Sequence, residues 1–84
     1  MDLDLVVFLK DGKYRLDVLK LLNKSSFISS ELAIKLNVNR ASMSRILKDL
    51  REKDLVSSIS NNSRTVIYSI SEKGKIILED LENE

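Results

Sequence analysis

Apolar residues mark out the elements of this chain before any other property does. Leu3 to Lys10 is apolar almost all round and stops at Asp11-Gly12. It reads as a short helix, with the β-branched pair Val6-Val7 leaving a strand open. Tyr14, Val18 and Leu22 recur at helical spacing with Leu19 and Leu21 beside them, so residues 13–23 form an amphipathic helix ending at Asn23-Lys24-Ser25. Phe27-Ile28 is long enough for a single bridge of a sheet. Ser29 then stands where an N-cap belongs, and Glu31 falls in the first turn, at the positive end of the helix dipole. Leu32, Ala33 and Leu36 give the buried face of that helix, 30–36, and Asn37 is a left-handed stop.

Only Val38 separates Asn37 from Asn39, which caps a further helix over 40–53 with its apolar stripe at Met43, Ile46, Leu47 and Leu50. Asp54 ends it. Leu55 to Ser60 and Thr65 to Ile70 read as strands joined by Asn61-Asn62-Ser63-Arg64, a hairpin signal. Val66, Tyr68 and Ile70 alternate with Thr65, Ile67 and Ser69, so one face of the hairpin, 55–70, is expected to be buried. Ser71 caps a last helix over 72–83 with Ile77, Leu78 and Leu81 inward. With no proline in the chain, the turns fall to Gly, Asn, Asp and Ser. The whole is expected to be one α+β domain over residues 1–84, small enough for its core to be marginal.

Composition narrows the function. The chain has neither Cys nor His, which removes the usual nucleophile–base pairs and the nitrogen and sulfur ligands of metal sites. No paired-carboxylate motif or glycine-rich phosphate loop takes their place, so the expectation is a non-enzyme without cofactor or metal. No apolar run approaches the ~20 residues of a membrane span, and the longest, Leu5 to Leu9, follows two aspartates rather than a basic segment. A soluble, cytoplasmic protein without a membrane partner is expected.

The net charge of +1 conceals a pattern. Lys35, Arg40, Arg45, Lys48, Arg51, Lys53 and Arg64 face only Asp49, Glu52 and Asp54 across residues 35–64, while residues 65–84 carry an acidic excess. A polyanion would dock in the middle of the chain. A solvated helix face accounts for the same charges, and Arg51 and Lys53 have Glu52 and Asp54 as ready partners.

Two short helices joined by a three-residue turn and followed directly by a hairpin carry the argument further. In such a pair the first helix supports the second, which enters the major groove of duplex DNA, where every base edge is distinguishable. The groove-facing set is Asn39, Arg40, Ala41, Ser42, Ser44, Arg45 and Lys48, with Arg64 at the hairpin tip reaching backbone or minor groove. Arg45 has the geometry for a bidentate contact with guanine.

Leu32-Ala33, Leu36-Asn37-Val38-Asn39, Ser44-Arg45-Ile46-Leu47-Lys48, Leu50-Arg51-Glu52-Lys53-Asp54-Leu55-Val56 and Tyr68-Ser69-Ile70-Ser71-Glu72-Lys73-Gly74 stand in order and spacing as in one known family. The chain resembles the winged helix-turn-helix transcriptional regulators of the MarR and ArsR type, above all their small archaeal members, over roughly residues 14–81. The resemblance implies a three-helix core, a small antiparallel sheet with a β-hairpin wing, and flanking N- and C-terminal helices. It also implies a sequence-specific regulator that binds double-stranded DNA. The family often has Gly where this chain has Asn37 and Asp54, and many members sense metals or small ligands through residues or a helical layer missing here.

Winged helices also serve as protein-interaction modules without DNA binding, which would show an apolar patch where this chain presents Arg, Ser and Lys. A further expectation concerns the surplus of apolar residues at the N-terminus. Leu5, Val6, Phe8 and Leu9, with Ile77 and Leu81, and with Leu3, Val7 and Ile76 nearby, suit the interface of a homodimer that doubles the DNA site. The other arrangement folds the N-terminal segment back onto its own core.

Overall fold

The computed structural model describes residues 2–60 and 64–83. They form α1 (Leu3–Asp11), α2 (Arg15–Lys24), β1 (Phe27–Ile28), α3 (Ser29–Leu36), α4 (Arg40–Glu52), β2 (Val56–Ser60), β3 (Val66–Ile70) and α5 (Glu72–Glu82). The turn expected at Asn61-Asn62-Ser63 lies outside the described residues. Arg64, beside it, is exposed.

The N-terminal segment is a helix despite Val6-Val7. Asp2 caps it, its side chain accepting a hydrogen bond from the Leu5 amide at 3.3 Å. Leu5 and Leu9, one turn apart, point inward with Val6 and join a core made by α2, α3, α4 and α5. That core closes over Leu9, Val18, Leu19, Leu32, Met43, Leu47, Leu50 and Leu55, none of which keeps appreciable solvent contact. Each such side chain stabilises the fold by about 2 kcal/mol on the area scale.

This packing corrects the expectation of a large apolar surplus. Leu5, Val6, Leu9 and Ile77 are buried in the chain's own core, and Phe8 and Leu81 are half-buried against it. The physical reason is that α1 and α5 both pack on α2 and on each other, which adds an apolar layer to the small central bundle. What stays open at this end is Leu3, 72% exposed, Val7, 58%, and Ile76, 54%.

Further local expectations shift, and the helix expected over 13–23 runs Arg15–Lys24. Ser29 is the first residue of α3 rather than its cap. The extended residue before the helix is Ile28, whose amide donates to Glu31 Oε1 at 3.0 Å. Ile28 is held extended because it pairs with Ile67, as Phe27 does with Tyr68, so β1 makes two residue pairs and not one. The sheet is antiparallel in the order β1-β3-β2, with Val56 opposite Ile70 and Ile59 opposite Ile67.

Residues directly opposite one another share a face. Phe27, Tyr68, Ile70 and Val56 face the core, and Ile28, Ile67 and Ile59 form an apolar row on the other side. All of β3 is therefore half-buried, where strict alternation had one face buried and one in solvent.

Both helices of the central pair end in the same way. Asn37 (φ 54°) and Asp54 (φ 60°) adopt the left-handed conformation. After α3, the Val38 amide donates to Ala33 O at 2.9 Å and the Asn37 amide to Ile34 O at 3.3 Å. After α4, the Leu55 amide donates to Leu50 O at 3.0 Å and the Asp54 amide to Arg51 O at 2.9 Å. These are Schellman closures, with Leu55 packed in the core alongside Leu50.

The second closure is also a junction. Ser71 Oγ donates to Asp54 O at 2.6 Å and accepts from the Gly74 amide at 2.9 Å, while the Ser71 amide donates to Leu55 O at 3.0 Å. Gly74 lies so close to the backbone that a Cβ there would collide with Leu55 O and stand 2.8 Å from Ile70 Cγ1.

Gly74→Ala is therefore expected to lower the unfolding free energy by about 1–3 kcal/mol, measured by urea denaturation. Asp54→Val should lose about 1–2 kcal/mol from the left-handed backbone alone, whereas Asp54→Gly should keep wild-type stability or exceed it.

Candidate nucleic-acid interface

The three residues Asn37, Val38 and Asn39 turn the chain from α3 into α4. The left-handed Asn37 reverses the backbone, Val38 tucks its side chain partly into the core, and Asn39 returns to extended backbone and caps α4. Its Oδ1 accepts from the Ser42 amide at 2.8 Å. The small Ala33, 5% exposed, belongs to the core face of α3 and lets α4 approach closely.

Burial of Met43, Leu47 and Leu50, with Ile46 half-buried, fixes the rotation of α4 about its axis. The opposite face is then determined. Ala41, Ser44, Arg45 and Lys48 lie together on it at helical spacing, all exposed, with Arg40 at its leading end. The structure therefore brings five of the eight candidate residues onto one surface. Asn39 is exposed at its edge but engages its side-chain oxygen in the cap, and Ser42 is half-buried on the flank facing α2. Arg64 is exposed in the connection from β2 to β3, apart from α4 in the chain. From Arg40 to Lys48 the face carries no acid.

The flank of α4 meets residues that periodicity did not single out. Arg15, at the start of α2, donates to Phe8 O at 2.6 Å, stacks its guanidinium 3.9 Å from the Phe8 ring centre, and pairs with Asp49 at 3.6 Å. One side chain thus joins α1, α2 and α4. Lys53 reaches the same ring at 5.5 Å, and Arg51 donates to Ser58 of β2 at 3.3 Å. Neither pairs with the acids next to it in sequence. No group of His, Cys, Asp or Glu that could hold a metal occurs among the described residues, and none of their helices is long and apolar enough to cross a membrane.

A protein-family model described as winged helix-turn-helix matches residues 4–84. The chain belongs to the winged helix-turn-helix family. Among solved structures it is similar to HlyU, a transcriptional regulator from Vibrio vulnificus, at 29% identity over 95% of this chain and 85% of that one, with a TM-score of 0.77. It is also similar to a mutant of ZitR from Lactococcus lactis in complex with DNA, at 26% identity over 86% of this chain and 51% of that one, with a TM-score of 0.76. The adhesin competence repressor AdcR of Streptococcus pyogenes shares the fold at 18% identity, over 93% of this chain and 63% of that one, with a TM-score of 0.77. The chain thus spans about half to two-thirds of the length of ZitR and AdcR. A search of curated protein sequences returns no significant match.

In the vocabulary of this family, α3 and α4 are the helix-turn-helix, α4 the recognition helix, and the β2–β3 hairpin the wing. Arg15 is the residue of this winged helix that sequence reasoning missed. Its one signal was the placement of an arginine just past Asp11-Gly12, a turn that could bring it back on the preceding helix.

Arg15→Ala should lose the carbonyl bond, the ring contact and the ion pair together, and so lower stability by about 1–3 kcal/mol in urea denaturation. Arg15→Lys keeps the charge but not the planar stack or the fork geometry, and should recover less than half of that loss.

Proposed function

We propose that this protein is a sequence-specific, double-stranded DNA-binding transcriptional regulator of the MarR or ArsR type. Its recognition helix would lie in the major groove and its wing on the backbone or minor groove. The observation that carries this reading is the exposed face of α4, where Arg40, Arg45 and Lys48 stand with Ala41 and Ser44 and the nearest acid on its flank, Asp49, is paired with Arg15. A cationic helix face with small side chains between the long ones suits a groove lined by phosphates and floored by base edges. The capture of ZitR on DNA supports the same use of the shared fold. A protein-interaction surface would show apolar residues at these positions instead.

The reading extends to a cytoplasmic homodimer. One recognition helix covers few base pairs, and a twofold copy doubles the site. The terminal helices remain the surface for it, but through Leu3, Val7 and Ile76, which stay exposed there, more than through the six residues expected from sequence, since most of these are packed inside the fold.

Fluorescence anisotropy with a mixed-sequence duplex should show binding that weakens steeply between low and physiological salt. No binding at low salt removes the DNA reading and leaves the fold to the protein-interaction alternative. Arg45→Ala should lose about 1–3 kcal/mol on a preferred site and relax preference at one position per half-site. Arg64→Ala should weaken all duplexes alike and lower the salt slope by about one. Both variants remove one charge, so an unchanged site selected from a random pool by Arg45→Ala would mean that Arg45 reads no base.

Sedimentation should give a dimer at tens of micromolar, roughly the range where a weak interface shows, and a monomer for Val7→Glu with Ile76→Glu. A monomeric wild type at that concentration counts against the dimer.

A further inference from the structure

A groove of about 430 Å³ runs between the connection from α1 to α2 and the first turns of the recognition helix. Lys13, Tyr14, Asn37, Ser42, Arg45 and Asp49 are among the residues that line it. We propose that it seats a backbone phosphate of duplex DNA, with Lys13 and Tyr14 as the holding groups. The proposal rests on the DNA-binding reading and adds to it a second element, far from α4 in sequence, that sets where the helix sits.

The charge in the groove is not what a residue count suggests. Asp49 would oppose an anion, but its carboxylate is paired with Arg15, whose guanidinium is also bonded to Phe8 O. Lys13, exposed and in no ion pair among the described residues, remains as the cation of the groove, and Arg45 borders it from the exposed face of α4. Lys13 Nζ stands 5.4 Å over the Tyr14 ring, which holds an ammonium and a phenol side by side. The Tyr14 hydroxyl and the side-chain NH2 of Asn37, whose backbone N–H is used in the turn, have no hydrogen-bond partner among the described residues, so the groove offers donors with no internal use.

Position decides the class of ligand. Ser42 and Asp49 lie on the flank of α4 that borders its exposed face, with Arg45 on that face itself. A helix lying in a groove about 12 Å wide has bases beneath it and a phosphate strand along each flank. A donor set on the flank therefore meets phosphate and not base edges. Such contacts carry no sequence information but fix the register and depth of the helix.

The test uses the full chain and a mixed-sequence duplex, titrated by anisotropy across salt concentrations. Lys13→Ala should lower the salt slope by about one. Tyr14→Phe, which keeps the ring and the net charge, should weaken binding about 2- to 10-fold at unchanged slope, the range of one lost hydrogen bond. Lys24→Ala, an exposed lysine outside the groove, is the control for general charge and should change binding less than Lys13→Ala.

Amide shifts of a nitrogen-15 sample complete it. The duplex should move the signals of residues 12–15 and 37–42 at concentrations where inorganic phosphate, at matched ionic strength, leaves them in place. A wild type that binds no duplex overturns the DNA reading and this seat with it. A wild type that binds while Lys13→Ala behaves like Lys24→Ala and Tyr14→Phe like wild type overturns the seat alone. Saturation of these shifts by inorganic phosphate itself assigns the groove to a small anion and also overturns the proposal.

Discussion

At Asp54 and Leu55 the chain ends the recognition helix, enters the wing and receives the start of the last helix. The left-handed backbone at Asp54 turns the chain, Leu55 drives its side chain into the core, and the two carbonyls behind them accept from Ser71. Gly74 permits the contact because no Cβ stands between α5 and Leu55 O. Three elements therefore leave one point at fixed angles. If that junction loosened, α4 and the wing would no longer be held as one rigid body, and α5 would lose its hold beside α1 and α2.

The rest of the recognition helix is fixed in the same manner, by attachments at its ends and along its length. Asn39 caps its start, its apolar stripe is buried without residual exposure at Met43, Leu47 and Leu50, and Arg51 reaches across to the wing. Arg15 holds its flank through Asp49 and holds α1 through Phe8. A helix restrained on so many sides has little freedom left to lose on contact with any partner. The Arg15 contacts also couple the N-terminal helix to α4 through a single side chain.

The outer side of the wing sheet has a different character. Ile28, Ile67 and Ile59 stand in one row across three strands, and Ile59 is 59% exposed. This row exists only because β1 pairs with β3, a contact between residues some forty positions apart. Alternation within β3 alone assigns Ile67 to solvent and says nothing of its neighbours.

The five helices and their order, the turn at Asn37, the cap at Asn39 and the buried stripe of α4 were legible in sequence, with helix ends within about two residues. Each depends on residues within about one turn of one another, where periodicity and backbone preference act. The exposed set Arg40, Ala41, Ser44, Arg45 and Lys48 follows as the complement of the stripe. What lies between elements was not legible. The start of α3 moved by one residue because a distant strand holds Ile28 extended, and the apolar N-terminal residues turned inward because α5 completes a layer with α1. Arg15 and Asp49 met across elements 34 positions apart in the sequence. Local chemistry wrote the helices and the face that one of them shows. Only the closing of the chain on itself decided which apolar side chains would be covered, which charges would be paired, and which would be left for a partner.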